Sequence, residues 1–341
     1  MEPENSSEKN KEFSEPKNIE ILTTFAIDSY TDCYTGNNTF TIIKSLNNVL
    51  FIIYSNINKS ILCYNLNENQ KVAEIKNAHN DYISCFRHYI DEIQKIDYII
   101  SISSGDNNIK LWNMRNFQCI LNLKNIYTNE FLFATCFLKN SNNNYIVTSN
   151  WNLDNSEPIK IFDFQGNLMK EINNSNEVTL SLEVYYDEET TTNYIIAGTN
   201  IHVKSYNFEK NEEYHEYYDS TAFHCSIIIQ KEENLVKLIV SCIDGYIRIW
   251  DFHSSNLIKK ITVYKGWLYG ICLWNKDYLL VGCTDKTVRL INLKTGNVEQ
   301  NLSGHKGKIV TLKKLYLPKY GECLMTQIIK DDGIKLWANK K

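Results

Sequence analysis

Short apolar strands preceded by polar turns recur along the whole chain. In the clearest example Asp244 and Gly245 supply the turn, because aspartate hydrogen-bonds its own backbone and glycine tolerates a positive φ. Apolar side chains then alternate with other side chains as far as Trp250, which is the pattern of a half-buried strand. The same turn and strand return over residues 106–112 and 331–337. In all three copies an aspartate precedes a tryptophan by six residues, so the chain contains an internal repeat.

Four weaker copies extend this repeat over most of the chain. We call the last residue of each repeated strand its anchor, and the seven anchors are Tyr64, Trp112, Phe162, Tyr206, Trp250, Ile291 and Trp337. The sixth copy loses the aromatic anchor but keeps the turn aspartate, Asp285. Successive anchors lie 41 to 50 residues apart, close to the ~40–45 residues of a four-stranded propeller blade. The spacing predicts an all-β fold, a seven-bladed β-propeller of four-stranded antiparallel blades.

The two ends of the chain are predicted to meet in one blade. The last copy leaves only four residues after Trp337, so the seventh blade lacks an outer strand. Residues 20–27 are rich in β-branched and aromatic side chains and are predicted to supply that strand, which would remove an exposed sheet edge. Residues 1–18 are almost devoid of apolar side chains and are predicted to be a disordered tail. Residues 19–341 would then form one domain, with long polar loops at 139–157 and 208–222.

Composition and charge exclude several classes of function. The formal net charge is −4 and 22% of residues are charged, so no broad basic field suited to nucleic acid is expected. The 10 cysteines show no metal-binding spacing, and we predict no metal and no cofactor. No apolar leader or membrane-spanning run is present, which predicts a soluble cytoplasmic protein, with the nucleus as the alternative.

The repeats resemble those of the WD-repeat family over about residues 20–341. Trp250 and Asp251 supply the Trp-Asp dipeptide at an anchor, and Gly304 and His305 supply the family's Gly-His dipeptide before an innermost strand. The resemblance implies a hydrogen-bonded chain of histidine, turn aspartate, second-strand hydroxyl and tryptophan within a blade. It assigns such chains to two sets of residues: His79, Asp106 and Trp112, and His305, Asp331 and Trp337.

The second-strand hydroxyl of this chain is expected at Ser103 or Ser104 in the second blade and at Thr326 in the seventh. In the sixth blade Tyr264 takes the place of the histidine and the anchor is Ile291, so the chain of hydrogen bonds is not expected there.

Residues just before the innermost strands are expected to project from the narrow end of the propeller, beside the central channel. Aromatic and basic side chains at such positions are typical of protein-binding hot spots. The predicted partner-binding residues are Tyr82, Lys265, Trp267, Lys306 and Lys308. The alternative for Trp267 is that its ring packs on its own blade in place of the missing histidine–tryptophan chain.

The function predicted from these observations is a non-catalytic scaffold that binds protein or peptide partners on one face of the propeller, as part of a multiprotein complex. An RNA- or ribosome-assembly-associated propeller is the alternative, and an enzyme that uses the central channel is a third reading. No nucleotide-binding or metalloprotease motif is present. The arginines are isolated in sequence, unlike the arginine pair of phosphoinositide-binding propellers, so no membrane partner is predicted.

Overall fold

The structure is a computed structural model. It describes residues 16, 18–25, 38–45, 49–103, 105–128, 131–140, 143–151, 157–174, 177–329 and 333–340. Within these ranges the chain forms seven antiparallel sheets of four strands each. The predicted seven-bladed β-propeller is therefore confirmed. No helix that could cross a membrane occurs in the described part of the chain.

Blades 1 to 3 run in chain order from the innermost strand to the outermost strand. Blade 1 contains β2 (Phe40–Lys44), β3 (Leu50–Ser55), β4 (Ile61–Asn65) and β5 (Gln70–Ile75). Blade 2 contains β6 (Ile83–Asp91), β7 (Ile96–Ser103), β8 (Asn108–Asn113) and β9 (Gln118–Lys124). Blade 3 contains β10 (Phe131–Asn140), β11 (Asn143–Trp151), β12 (Ile159–Asp163) and β13 (Leu168–Ile172).

Blades 4 to 6 repeat this order, and blade 7 combines both ends of the chain. Blade 4 contains β14 (Thr179–Asp187), β15 (Thr192–Thr199), β16 (Val203–Asn207) and β17 (Glu212–Tyr217). Blade 5 contains β18 (His224–Glu232), β19 (Leu235–Cys242), β20 (Tyr246–Asp251) and β21 (Leu257–Thr262). Blade 6 contains β22 (Leu268–Leu273), β23 (Tyr278–Cys283), β24 (Val288–Asn292) and β25 (Val298–Leu302). Blade 7 contains β26 (Ile309–Leu317), β27 (Gly321–Ile328), β28 (Ile334–Asn339) and, as its outer strand, β1 (Ile19–Phe25).

The hydrophobic core lies between the blades rather than within one blade. A representative cluster joins Ile53 and Cys63 of blade 1 to Phe86, Ile99 and Trp112 of blade 2, all buried. Each blade therefore buries its faces against its neighbours.

The predicted closure by the N-terminal strand is confirmed. Strand β1 pairs antiparallel with β28, from Ile19 opposite Asn339 to Phe25 opposite Ile334. The side-chain amide of Gln300 in blade 6 donates to the Ile19 carbonyl (3.0 Å) and accepts from the Ile19 amide (3.1 Å). The end of the predicted strand at residues 26–27, and the predicted tail except positions 16 and 18, lie outside the described residues.

Two stretches that we expected to be long polar loops contain strands. Residues 143–151 form β11 within the expected loop 139–157, and residues 212–217 form β17 within 208–222. Both stretches are rich in asparagine or glutamate, but each contains a few apolar residues that are buried. In β11 these are Ile146 and Val147. In β17 the buried Tyr217 donates its hydroxyl to the carbonyl of Phe252 in the next blade (2.7 Å). Contacts with neighbouring blades therefore stabilise these two strands.

Candidate interaction surface

Within the described part of the chain, the residues that the sequence analysis assigned to hydrogen-bond chains and partner binding lie at one end of the propeller. Strands alternate in direction within a blade, so the loop between its second and third strands lies at the same end as the connection to the next blade. We call this end the top face. In blades 2 to 7 the innermost strand has a bulge near this end, which places an extra residue at the mouth of the central channel.

A buried chain of hydrogen bonds crosses blade 2 just below the top face. The His79 Nδ1 lies 3.2 Å from Asp106 Oδ2, and its Nε2 lies 2.7 Å from Ser101 Oγ. The Trp112 indole donates to the same Ser101 oxygen (2.8 Å). The expectation of Ser103 or Ser104 as the hydroxyl is wrong, because the indole leans diagonally from its opposite residue, Ile99, toward the side chain two positions further along β7.

Burial sets the protonation state of this chain. It lowers the pKa of His79, although Asp106 acts in the opposite direction, so the imidazole is neutral at pH 7. Burial alone would raise the pKa of Asp106, but hydrogen bonds from His79 and from the Asn80 amide outweigh it and lower that pKa. The neutral imidazole then donates from Nδ1 to the carboxylate and accepts the Ser101 proton at Nε2.

The aspartate–histidine–serine order in blade 2 matches that of a hydrolase triad, but the nucleophile position is closed. Ser101 is 0% exposed, and its oxygen already accepts the Trp112 indole N–H. A triad is defined by geometry that includes access to a substrate. This geometry holds two strands and a loop together instead.

Blade 7 contains the corresponding histidine, hydroxyl and tryptophan. His305 Nε2 lies 2.6 Å from Thr326 Oγ1, and the Trp337 indole donates to the same oxygen (2.7 Å). Asp331 lies outside the described residues, so its part in this chain stays a prediction.

Blade 5, which contains the literal Trp-Asp dipeptide, has no such chain. Ser220 stands four residues before β18, where His79 and His305 stand four residues before their own innermost strands. The Ser241 hydroxyl donates to the Tyr269 carbonyl of blade 6 (2.5 Å) instead of binding the indole. The Trp250 indole N–H is buried and has no hydrogen-bond partner among the described residues.

In blade 5 a buried arginine connects the loops in place of the hydrogen-bond chain. Arg248 is 0% exposed. Its Nε donates to Asp219 (3.0 Å), its two Nη atoms donate to Asp244 (3.0 and 2.6 Å), and Nη2 also contacts Ser220. The predicted turn residue Asp244 therefore binds a guanidinium and not a histidine.

Blades 4 and 6 replace the histidine chain in two further ways. In blade 4 the buried Glu177 accepts from Lys204 (2.7 Å) and from the Thr199 hydroxyl, and it lies 3.1 Å from His202. Burial alone would raise the pKa of Glu177, but the hydrogen bonds from Lys204 and Thr199 outweigh it and lower that pKa.

In blade 6 the hydroxyl of Tyr264 hydrogen-bonds Thr284, and the Arg289 guanidinium stacks 4.4 Å from the centre of the Tyr264 ring. Arg289 also pairs with the turn residue Asp285 through both Nη atoms. The anchor Ile291 is buried.

The sequence carries a signal for these links that the analysis above did not use. In six of the seven repeats the residue two positions before the anchor is basic, namely Lys110, Lys160, Lys204, Arg248, Arg289 and Lys335. Lys110, for example, donates to the Ala78 carbonyl (2.5 Å), and Lys160 donates to the Ile126 carbonyl (2.6 Å). In blades 2 to 6 this basic residue contacts the connection that precedes its own blade, whereas Lys335 of blade 7 donates to Thr24 of β1 (3.3 Å).

The remaining anchors occupy their expected third strands without a shared polar role. Phe162 is buried between blades 2 and 3, and Tyr206 is buried between blades 3 and 4. Tyr64 is half-buried, and its hydroxyl donates to Asn69 (2.8 Å).

Aromatic side chains form a second feature of the top face, at the mouth of the channel. In blade 3 the rings of Phe133 and Trp151 lie 4.9 Å apart, and Trp151 reaches Phe223 of blade 5 at 6.0 Å. In blade 6 Trp267 packs edge-on against Tyr269 at 6.4 Å. We call these five residues the aromatic mouth. The sequence analysis found only Trp267, because the other four lie in blades with weak repeats or next to strand ends.

Trp267 is the most exposed member of the aromatic mouth, with 48% of its surface accessible. Lys308 of blade 7 lies above its ring, with Nζ 5.7 Å from the ring centre. Lys265 and Lys306 are exposed on the loops beside it. Tyr82 belongs to a different part of the face, since it is half-buried in blade 2, where Lys59 of blade 1 lies 5.6 Å from its ring.

Stability is expected to fall between pH 6.5 and pH 5, and His224 should cause part of that fall. Its ring is buried beside Trp250 and its Nδ1 donates to the Thr199 carbonyl (2.8 Å). Burial lowers the pKa of His224 to about 4 from 6.5. Below pH 6.5 the unfolded chain binds a proton that the folded chain rejects, so this residue removes about 1.4 kcal/mol of stability per pH unit.

Urea denaturation at pH 7.5, 6.5 and 5 measures this effect, with His224→Asn as the matched variant. The variant should lose roughly 2 kcal/mol less than the natural chain between pH 6.5 and pH 5. Equal losses for the two chains would show that His224 does not titrate in the predicted range.

The ring of four-stranded blades and the histidine–hydroxyl–tryptophan chains define a β-propeller built from WD-type repeats. In fold and in these repeats the chain is similar to WD-repeat proteins. It is 26% identical over 100 residues to the U3 small nucleolar RNA-associated protein 21 homolog of Schizosaccharomyces pombe, a match that covers 29% of this chain and 11% of that protein. It is 20% identical over 293 residues to the nuclear distribution protein PAC1 of Saccharomyces cerevisiae, which covers 83% of this chain and 56% of that protein. No family model matches the chain.

Among solved structures, the computationally designed protein Ika8 has a similar fold. Its TM-score is 0.59 at 14% identity, and the alignment covers 92% of this chain and 100% of the designed chain. This likeness concerns the fold alone.

Proposed function

We propose that the protein is a non-catalytic interaction module that binds segments of partner proteins at the aromatic mouth. The observation that carries this proposal is the half-exposed Trp267 with Lys308 above its ring, next to a channel mouth lined by further aromatic side chains. A few residues, enriched in tryptophan, tyrosine and arginine, supply most of the binding energy at protein interfaces, and charges at the rim steer the approach of a partner.

The polar side chains of the top face support a structural role rather than a catalytic one. The blade 2 histidine and aspartate are buried and bonded to each other, and the Arg248 and Glu177 clusters likewise connect loops to strands. We propose no metal and no cofactor. We place the protein in the cytoplasm, with the nucleus as the alternative, as one subunit of a multiprotein complex.

Trp267→Ala is expected to weaken capture of partner proteins by about 2 kcal/mol, or roughly thirtyfold in affinity, with little change in melting temperature. The measurement is affinity capture from lysate followed by titration of the main captured protein in purified form. Tyr186→Ala is the matched control, because Tyr186 is 49% exposed but lies near the opposite end of blade 4, in β14. Lys308→Ala should mainly slow association and reduce its dependence on salt.

The alternative for Trp267 predicts the reverse result. If the ring serves to pack blade 6 in place of the missing histidine–tryptophan chain, Trp267→Ala lowers the melting temperature and leaves capture intact. Equal effects of the Trp267 and Tyr186 substitutions on capture would also contradict the proposal.

A role in an RNA-containing assembly is the second candidate function. It is favoured by the similarity of 100 residues to a protein whose name associates it with a small nucleolar RNA. The formal net charge of −4 argues against direct RNA binding, so such a role would rest on contacts with proteins. Nuclease treatment of the captured material separates the two candidates: an RNA-containing assembly loses the further partners that are held through RNA, whereas a complex without RNA keeps all its partners.

A further inference from the structure

The junction between blades 1 and 2 differs from its neighbours at the end opposite the top face. In the next three junctions a phenylalanine two residues after the anchor packs on a tyrosine of the preceding blade. The ring-centre distances are 5.6 Å for Phe164 and Tyr98, 5.3 Å for Phe208 and Tyr145, and 4.9 Å for Phe252 and Tyr185. Large aromatic rings therefore fill those three junctions.

The same position in blade 2 holds Met114, which is smaller and more flexible than phenylalanine. The position that Tyr89 and Tyr185 occupy in β6 and β14 is taken in blade 1 by Ile43, paired with Phe51 of β3. A groove of about 710 Å³ remains between the two blades. Its apolar lining includes Ile43, Phe51, Ile53, Cys63, Met114 and Phe117.

The groove is open to solvent between the two blades. Its volume lies in the range of pockets that bind ligands. We call it the blade 1–2 groove. It lies at the opposite end from the aromatic mouth, so it is a separate surface.

The rim of the blade 1–2 groove is charged unequally. On the blade 2 side Lys95 and Arg115 are exposed, and neither forms an ion pair with a carboxylate in the described ranges. The Asp97 carboxylate on that side is already bonded to His88 (2.6 Å). On the blade 1 side Glu68 accepts from Gln70 (2.6 Å). The Arg115 Nη2 donates to the Lys95 carbonyl (3.3 Å), and its remaining N–H groups and the Lys95 ammonium are available to a bound molecule along one edge of an apolar groove.

We propose that the blade 1–2 groove binds a short segment of a partner protein that carries apolar side chains next to acidic residues. The apolar side chains enter between Phe51 and Met114, and the acidic residues lie over Lys95 and Arg115. Methionine suits such a surface because its flexible, polarisable side chain adapts to different apolar groups. This is the arrangement of an amphipathic segment in a groove, with apolar anchors for affinity and charges for orientation.

Selection of short random peptides displayed on phage tests the proposal on the full chain. The matched control is a filled variant, Met114→Phe with Ile43→Tyr, which copies residue types from the filled junctions. Selected peptides should combine apolar residues with aspartate or glutamate and bind the filled variant at least about tenfold more weakly. Arg115→Glu should weaken them several-fold, and Trp267→Ala should have no effect. The melting temperature of the filled variant should equal or exceed that of the natural chain, because filling a cavity is stabilising.

Methyl NMR of the four methionines locates the bound peptide. The Met114 methyl signal should shift on titration, whereas Met169, on the exposed outer strand of blade 3, and the buried Met325 should not. Selected peptides that bind the filled variant equally well, that are basic, or that leave Met114 unmoved would overturn the proposal. A Met114 signal that responds to a fatty acid but to no peptide would overturn it as well. None of these outcomes bears on Trp267, so the two surfaces are tested independently.

Discussion

Removing residues 1–25 is expected to lower the free energy of unfolding by at least about 4 kcal/mol and to cause aggregation. The deletion removes β1 and with it the buried side chains of Ile19 and Phe25, each of which contributes about 2 kcal/mol of apolar burial. It also leaves β28 as an open sheet edge, a template for pairing with other chains.

Deletion of residues 1–15 is the control for this experiment, because these residues are polar and precede β1. Its melting temperature and urea midpoint should equal those of the full chain, whereas the longer deletion should shift both and form larger species in size-exclusion chromatography. Equal stabilities for the two deletions would show that β1 does not hold the ring closed.

Arg248→Met is expected to destabilise the protein by about 3 kcal/mol. The substitution keeps much of the apolar volume but leaves Asp219, Asp244 and Ser220 without the guanidinium that they share. Loss of one partner from a buried ion pair costs ~3–5 kcal/mol. We expect the lower end of this range because the side chains of Asp219 and Asp244 are 20% and 29% exposed.

Lys260→Met tests whether burial is the cause. Lys260 also pairs with Asp219 (2.6 Å), but its side chain is 33% exposed, and pairs near the surface contribute at most about 1 kcal/mol. Urea denaturation at neutral pH compares the two variants. If Lys260→Met cost as much as Arg248→Met, the interaction would depend on Asp219 alone and not on the buried guanidinium.

Local signals in the sequence were enough to predict the seven blades. The turn before Trp250 requires a residue that tolerates a left-handed backbone, and Gly245 has a φ of 87° there, while Asn107 has 51° at the same place in blade 2. These signals depend only on neighbouring residues, so they repeat wherever the blade repeats. In residues 143–151 and 212–217 the polar flanks obscured the signal, and the strands form because their apolar residues pack on adjacent blades.

The hydrogen-bond chains were only partly predictable. His79, Asp106 and Trp112 could be selected by spacing, but the hydroxyl could not, because a diagonal contact across two strands made Ser101 the partner. In blade 5, which has the literal Trp-Asp dipeptide, the Ser241 hydroxyl binds the neighbouring blade and Arg248 connects the loops.

The sequence by itself determined the repeat length, the number of blades, the closing strand and the place of Trp267 on a loop before an innermost strand. Each of these follows from residues close together in the chain. Only the tertiary structure decided which side chains meet at the channel mouth and between blades. Trp151 and Phe223 are far apart in sequence and meet because ring closure brings the ends of β11 and β18 to one mouth. The blade 1–2 groove lies where Met114 of blade 2 replaces the phenylalanine of the next three junctions and Ile43 of blade 1 stands at the position of Tyr89 and Tyr185.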